Sequence, residues 1–149
     1  MFKHPFTYII AGPCGSGESS FCITLLQNLD TCKEQKFKVG IIWCYSEKTA
    51  VPHKQLSALN KNIHYHKGVS RNNNNFANVQ GETCLIILDD LFTEVYSEDV
   101  CVLFKSGSHH RNISVILIRQ NLFHQGRNCR DISLNAKYLV LFKNVRDKR

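Results

Sequence analysis

A stretch near the start of the chain, Gly12-Pro13-Cys14-Gly15-Ser16-Gly17-Glu18-Ser19, has the spacing of a phosphate-cradling loop, G-x-x-x-x-G-K-[ST], at every fixed position but one. Glu18 stands where that pattern has lysine. In such a loop the glycines let the backbone approach a phosphate closely, and free N–H groups and the positive end of a helix dipole grip the anion. Ser19 is the residue type that holds Mg²⁺ through its hydroxyl, and Ser20 completes the stretch expected to touch nucleotide. The scaffold of a nucleotide site is written here with its main cationic contact reversed in sign.

Two further groups could complete that chemistry. Cys84-Leu85-Ile86-Ile87-Leu88-Asp89-Asp90 is an apolar run ending in paired carboxylates. Asp89 would hold a magnesium shell through water, and Asp90 would orient or deprotonate an attacking water. The run 113–119 ends at Gln120, a polar group placed to sense a γ-phosphate. Each feature has a plainer structural explanation: a glycine turn, an aspartate capping a strand exit, an amide capping a strand end. Their occurrence together, in this order, favours the nucleotide site.

The elements that must position these residues are legible as apolar runs. Residues 6–11 read as a buried strand and 19–29 as a helix with Phe21, Ile23, Leu25, Leu26 and Leu29 apolar. Residues 38–46 read as a second buried strand, 51–59 as a weak helix and 64–66 as a short strand. A polar run, Asn72-Asn73-Asn74-Asn75, marks 70–81 as a surface loop. Residues 96–106 read as a helix, 123–136 as a polar region of no assigned form, and 138–142 as a last strand. Strands alternating with helices predict an α/β fold, a mostly parallel sheet with helices on both faces, with ligands at the carboxyl ends of the strands. Gly12, Asp89 and Gln120 all fall at such ends.

Composition bounds the function classes. The 149 residues suit one domain. No run approaches about 18 consecutive apolar residues, so no membrane-crossing helix is predicted. The N-terminus lacks the layout of a secretory signal, and an intracellular protein is expected. Of the seven cysteines (Cys14, Cys22, Cys32, Cys44, Cys84, Cys101 and Cys129) several lie in apolar runs, and no C-x-x-C pair occurs. This predicts reduced, mostly buried thiols and neither a disulfide framework nor a zinc site. The spacing of His109, His110 and Cys129 matches no common metal site. The net charge of +7 is concentrated late in the chain, from Arg111 and Arg119 through Arg127, Arg130, Lys137 and Lys143 to Arg149. Such a surface attracts nucleic acid through counterion release.

Beyond these motifs, longer phrases carry a resemblance. They are His4-Pro5-Phe6-Thr7, Ile42-Trp43-Cys44-Tyr45-Ser46-Glu47, Gly107-Ser108-His109-His110-Arg111-Asn112, Gln120-Asn121-Leu122-Phe123-His124, and the run from Ile132 to Lys148. Together they resemble the genome-packaging ATPases of Polinton (Maverick) elements and adintoviruses, which are similar to the poxvirus packaging ATPase and belong to the FtsK–HerA superfamily. The resemblance covers nearly the whole chain. It implies a three-layer P-loop NTPase of the RecA-like, ASCE type and an oligomeric ring that uses ATP and Mg²⁺ to drive double-stranded DNA into a capsid. Virion association and contact with capsid proteins follow from the same likeness. It also implies that Arg146 reaches a neighbouring subunit's nucleotide as an arginine finger, with Arg111 as rival. The departures are Glu18 for lysine, Arg119 where threonine is usual, and Val145 where proline precedes the arginine. Family members also generally continue past the point where this chain stops.

Glu18 decides the expected activity. A lysine about 4 Å from a phosphate charge contributes about 4 kcal/mol at an effective dielectric near 20. Glutamate removes that attraction and adds a repulsion of similar size. Backbone N–H groups and Mg²⁺ remain, so weak nucleotide binding and impaired hydrolysis are expected, unless Arg111, Lys143 or Arg146 supplies a cation. Two alternatives stay open: a non-catalytic DNA-binding or assembly subunit, and a P-loop nucleotide kinase with Arg127 and Arg130 as lid residues.

Overall fold

The computed structural model describes residues 4–29, 40–59, 62–69, 82–91, 97–107, 112–121 and 126–143. Its elements, in chain order, are β1 (Thr7–Ala11), α1 (Glu18–Leu29), β2 (Gly40–Tyr45), α2 (His53–Ser57), β3 (Ile63–Lys67), β4 (Cys84–Asp89), α3 (Glu98–Val102), β5 (Ile113–Arg119), α4 (Arg127–Leu134) and β6 (Tyr138–Leu141). Helix α3 runs on into a π-helical turn, Leu103–Gly107.

The six strands form one sheet in the order β3-β2-β4-β5-β1-β6, and every neighbouring pair is parallel. Strand β5 therefore lies between the strand that feeds the glycine loop and the strand that ends in the acids. The central strands β1, β4 and β5 are buried along their whole length. This is why they read as continuous Ile/Val/Leu runs without alternation: a parallel sheet covered on both faces has no solvent side to mark.

Alternate residues of each strand serve two cores. On one face Tyr8, Ile10, Trp43, Leu85, Ile87, Ile116 and Ile118 pack with Cys22, Leu26 and Leu29 of α1 and Leu56 of α2. On the other, Ile9, Ile42, Ile86, Leu88, Val115 and Leu117 pack with Val100, Cys101 and Phe104 of the α3 segment and Ile132 of α4. The expected α/β architecture with helices on both faces is the one observed.

The differences lie in the thinner elements. The expected helix over 96–106 is a short α-helix followed by a π-helical turn. Helix α4 falls in the region to which no form was assigned. It buries only Cys129 and Ile132, at i, i+3 spacing; its remaining residues are polar apart from the exposed Leu134, and no side-chain cap marks its start. Of the described cysteines, Cys22, Cys44, Cys84, Cys101 and Cys129 are buried and unbridged, while Cys14 is exposed on the loop. Burial pushes the Cys22 thiol up, and raises Cys44 to about 12 and Cys84 to about 11. The loop expected over 70–81, and His109 and His110, lie outside the described residues.

Candidate nucleotide site

Strand parity assembles the site. Side chains two apart on a strand share a face. Thus Gly12 continues the face of Tyr8 and Ile10, Asp89 that of Leu85 and Ile87, and Gln120 that of Ile116 and Ile118. All three reach the carboxyl edge on the side covered by α1. Backbone bonds tie the edge together: Gly12 N–H donates to the Arg119 carbonyl (3.2 Å), Asp90 N–H to Ile118 (3.1 Å) and Phe142 N–H to Ala11 (2.8 Å).

The loop turns where its sequence requires. Ser16 N–H donates to the Pro13 carbonyl at 3.0 Å, closing a tight turn, and Phe21 N–H donates to Gly17 at 2.9 Å, the first bond leading into α1. Gly15 and Gly17 take φ of 78° and 101°, the left-handed region that a side chain disfavours. Gly12 is required by space instead. A β-carbon there would lie 2.5 Å from Ser16 Oγ, 2.6 Å from Phe142 Cβ and 3.1 Å from Glu18 Oε1. Phe142, just past β6, thus closes one wall of the loop, a role that nothing in the local sequence around Gly12 signals.

Glu18 is the first residue of α1 and is only 9% exposed. Its carboxylate folds back over Gly12, at the helix N-terminus, where an acid is favoured by the macrodipole. The chain thus places a carboxylate of its own beside the glycine loop. Ser19 is half-buried and Ser20 exposed, its carbonyl accepting the Thr24 hydroxyl at 3.0 Å.

The acids of β4 have different surroundings. Asp89 is 2% exposed, and its Oδ2 accepts the indole N–H of Trp43 at 3.2 Å. Burial pushes the Asp89 carboxyl up to about 6; the Trp43 bond opposes this, and the charges of Asp90 and Glu18 add to it. Asp90 leaves the strand with φ of 47°, and its Oδ2 accepts from Gln120 Nε2 at 2.9 Å. Its carboxyl is also raised by burial, against the Gln120 bond and with the Glu18 charge. The expected water-activating acid and the expected phosphate sensor are therefore in direct contact.

The site is anionic. Glu18, Asp89 and Asp90 act on one another, and among the described residues no cation pairs with any of them; the ion pairs are Lys67–Glu47 and Lys105–Asp131. Of the cations expected to compensate for Glu18, Lys143 is exposed just beyond β6, while Arg111 and Arg146 lie outside the described residues. Arg119 is 4% exposed but has the opposite parity. Its guanidinium faces α4, donating to Ser133 Oγ at 3.1 Å and Cys129 Sγ at 3.5 Å.

The donor chemistry fits magnesium. A buried carboxylate and a serine hydroxyl are hard oxygen donors, and raised carboxyls beside one another lack a counter-cation. Among the described residues no three His, Cys, Asp or Glu side chains converge as metal ligands. An ion on Asp89 and Ser19 would complete its shell with water and phosphate oxygens, as Mg²⁺ commonly does. The loop backbone fits a phosphate, and Glu18 opposes its charge.

A parallel sheet with a strand inserted between loop strand and acid strand, covered on both faces, is the fold of P-loop ATPases. The profile of the Poxvirus A32 protein family matches residues 1–147, and the chain belongs to that family. No curated protein matches it in sequence. Among solved structures it resembles the cytoplasmic domain of EssC, with a TM-score of 0.67 and 15% identity over 96% of this chain and 32% of that one. It also resembles B204, the DNA-packaging ATPase from Sulfolobus Turreted Icosahedral Virus, with a TM-score of 0.63 and 13% identity over 95% of this chain and 78% of that one. The ATPase domain of G40P gives a TM-score of 0.56 and 11% identity over 94% of this chain and 70% of that one. The chain thus spans 32% of the EssC domain's length.

Proposed function

We propose that this protein is a DNA-packaging ATPase of the P-loop class, of the Polinton and adintovirus kind, whose nucleotide site is impaired by Glu18. The observation that carries the reading is the convergence of Gly12, Asp89 and Gln120 on one edge and one face, with the Glu18 carboxylate buried beside them. Ser19 and Asp89 would hold Mg²⁺, which supplies charge neutralisation on the phosphates when bound. Residues 12–20 would line the triphosphate. Asp90, held by Gln120, would orient the attacking water once the glutamine turns to the γ-phosphate. Arg146 is the proposed finger from a neighbouring subunit of a homo-oligomeric ring on double-stranded DNA. Capsid proteins are the further partners, and the protein is intracellular and virion-associated.

A second reading, a DNA-binding or assembly subunit that does not turn over ATP, is favoured by the same buried Glu18. It predicts steep salt dependence of duplex binding with no effect of nucleotide.

The test compares nucleotide binding by this chain and by Glu18→Lys. Exchanging repulsion for attraction should raise Mg²⁺·ATP affinity by about a hundredfold or more, given about 4 kcal/mol per charge contact as an upper bound. Equal affinities would reject the site. Brisk hydrolysis by the parent chain, unchanged or slowed by Glu18→Lys, would reject the impairment.

A further inference from the structure

Trp43 is 0% exposed, sits on β2, and donates its indole N–H to Asp89 Oδ2 at 3.2 Å across 46 residues of sequence. Strand β2 neighbours β4, with Trp43 opposite Ile87, so Asp89 is two positions further toward the carboxyl edge on the same face. The indole is long enough to bridge that offset, and a shorter side chain at position 43 is not.

Three physical features separate this contact from ordinary packing of a large ring. An indole nitrogen only donates, so the bond has one polarity and never competes with Asp89 for a cation. No water reaches the indole, and it is held in the core that includes Cys22 and Leu26 of α1 and Leu56 of α2, which fixes the donor's direction. A buried tryptophan needs an acceptor, and here that acceptor is the carboxylate at the end of the acid strand.

We infer that Trp43 is the positioning residue for Asp89: its N–H holds Oδ2, so that Oδ1 would be left to hold a divalent cation or its water shell. This rests on the nucleotide-site reading and adds to it a residue from a strand that carries none of the site's motifs. Groups that hydrogen-bond a metal ligand set its orientation, and losing one typically costs about tenfold to a hundredfold in metal affinity. Because Trp43 is the chain's one tryptophan, its indole N–H gives one resonance, on the proton that bonds to Asp89.

The experiment follows that resonance in ¹H–¹⁵N spectra of the whole chain. Without metal, Asp89→Asn should shift the indole peak, since a carboxylate acceptor becomes an amide. MgCl₂ alone should move the peak saturably in the parent and not in Asp89→Asn. Trp43→Phe should weaken Mn²⁺ binding, read by electron paramagnetic resonance, by about tenfold or more. If Trp43→Phe fails to fold, the Asp89→Asn arm decides by itself, because it keeps the ring. An indole peak indifferent to Asp89→Asn overturns the inference, as does Mn²⁺ affinity unchanged in folded Trp43→Phe. Absence of metal binding in both the parent and Glu18→Lys overturns the functional reading instead, and the metal-free comparison still shows whether the indole–carboxylate bond exists.

Discussion

Asp89 and Arg119 end neighbouring strands, are both almost wholly buried, and carry opposite charges, yet they face opposite sides of the sheet. Asp89 lies on the α1 side with Glu18 and Asp90, one hydrogen bond from Trp43. Arg119 lies on the α4 side among a hydroxyl and a thiol. The register pairs Asp89 with Ile118, so one residue of offset keeps the buried cation from the buried anions. Among the described residues the acids are left short of positive charge, in the place where a metal would supply it, and the arginine holds a helix instead. Nearness in sequence to the acids is therefore no guide to which cation can reach them; parity is.

The anionic side should show the larger effect. The Asp89 carboxyl moves from 3.8 to about 6 on folding, so between those values the folded chain holds a proton that the unfolded chain releases. The Asp89 contribution to stability is full below about pH 4, is lost as pH rises through 6, and does not change further above. Asp89→Asn keeps an acceptor for Trp43 and removes the titration. In metal-free protein it should stabilise the fold at pH 7 by about 3 kcal/mol, shrinking to nothing near pH 4. Denaturant unfolding at a series of pH values measures this. An identical pH slope in both proteins would contradict the buried, cation-starved setting.

Arg119 gives the middle effect. Its Nε has no hydrogen-bond partner, and no carboxylate offsets its charge among the described residues. Replacing buried ionic groups by apolar ones of similar volume is often neutral or stabilising. Arg119→Met should therefore leave stability unchanged or raise it by about 1 kcal/mol. A loss of similar size would mean that the bonds to Ser133 and Cys129 outweigh the cost of burying the charge.

These contrasts also explain what could be read without coordinates. The four-residue apolar cores of β4 and β5 and the glycine spacing of 12–17 announce themselves, because burial on both faces and left-handed turns each demand particular residues. So Gly12, Asp89 and Gln120 fall at one edge from sequence alone. Helix α4 does not announce itself, because it is eight residues long and buries only Cys129 and Ile132, too few apolar residues to stand out from a charged, polar stretch. Arg119 reads in sequence as a departure from a pattern and as part of a basic surface, yet it is buried, since its direction depends on where β5 ends and on the helix beside it. Trp43 reads as part of a buried strand, and it is core. That its nitrogen meets Asp89 depends on β2 lying beside β4, which pairing alone decides. Phe142 meets Gly12 for the same kind of reason, through β6 beside β1. Arg146 falls outside the described residues, and its finger role stays a proposal.

The smallest effect belongs to the charges that do find partners on the α4 side. Lys105 and Asp131 meet at 2.7 Å on the surface, joining the π-helical turn to α4. The contact lowers the Asp131 carboxyl and raises the Lys105 ammonium, but water screens it, and holding two mobile side chains in one geometry costs entropy. Lys105→Ala should leave the melting temperature within experimental error, at low salt and at high. Removing this visible, well-formed pair should therefore do less than neutralising Asp89, which has no ionic partner among the described residues. A substantial loss of stability from Lys105→Ala that salt does not abolish would reverse the ranking. Helix α4 would then be held by its surface charges, and not by Cys129, Ile132 and the buried arm of Arg119.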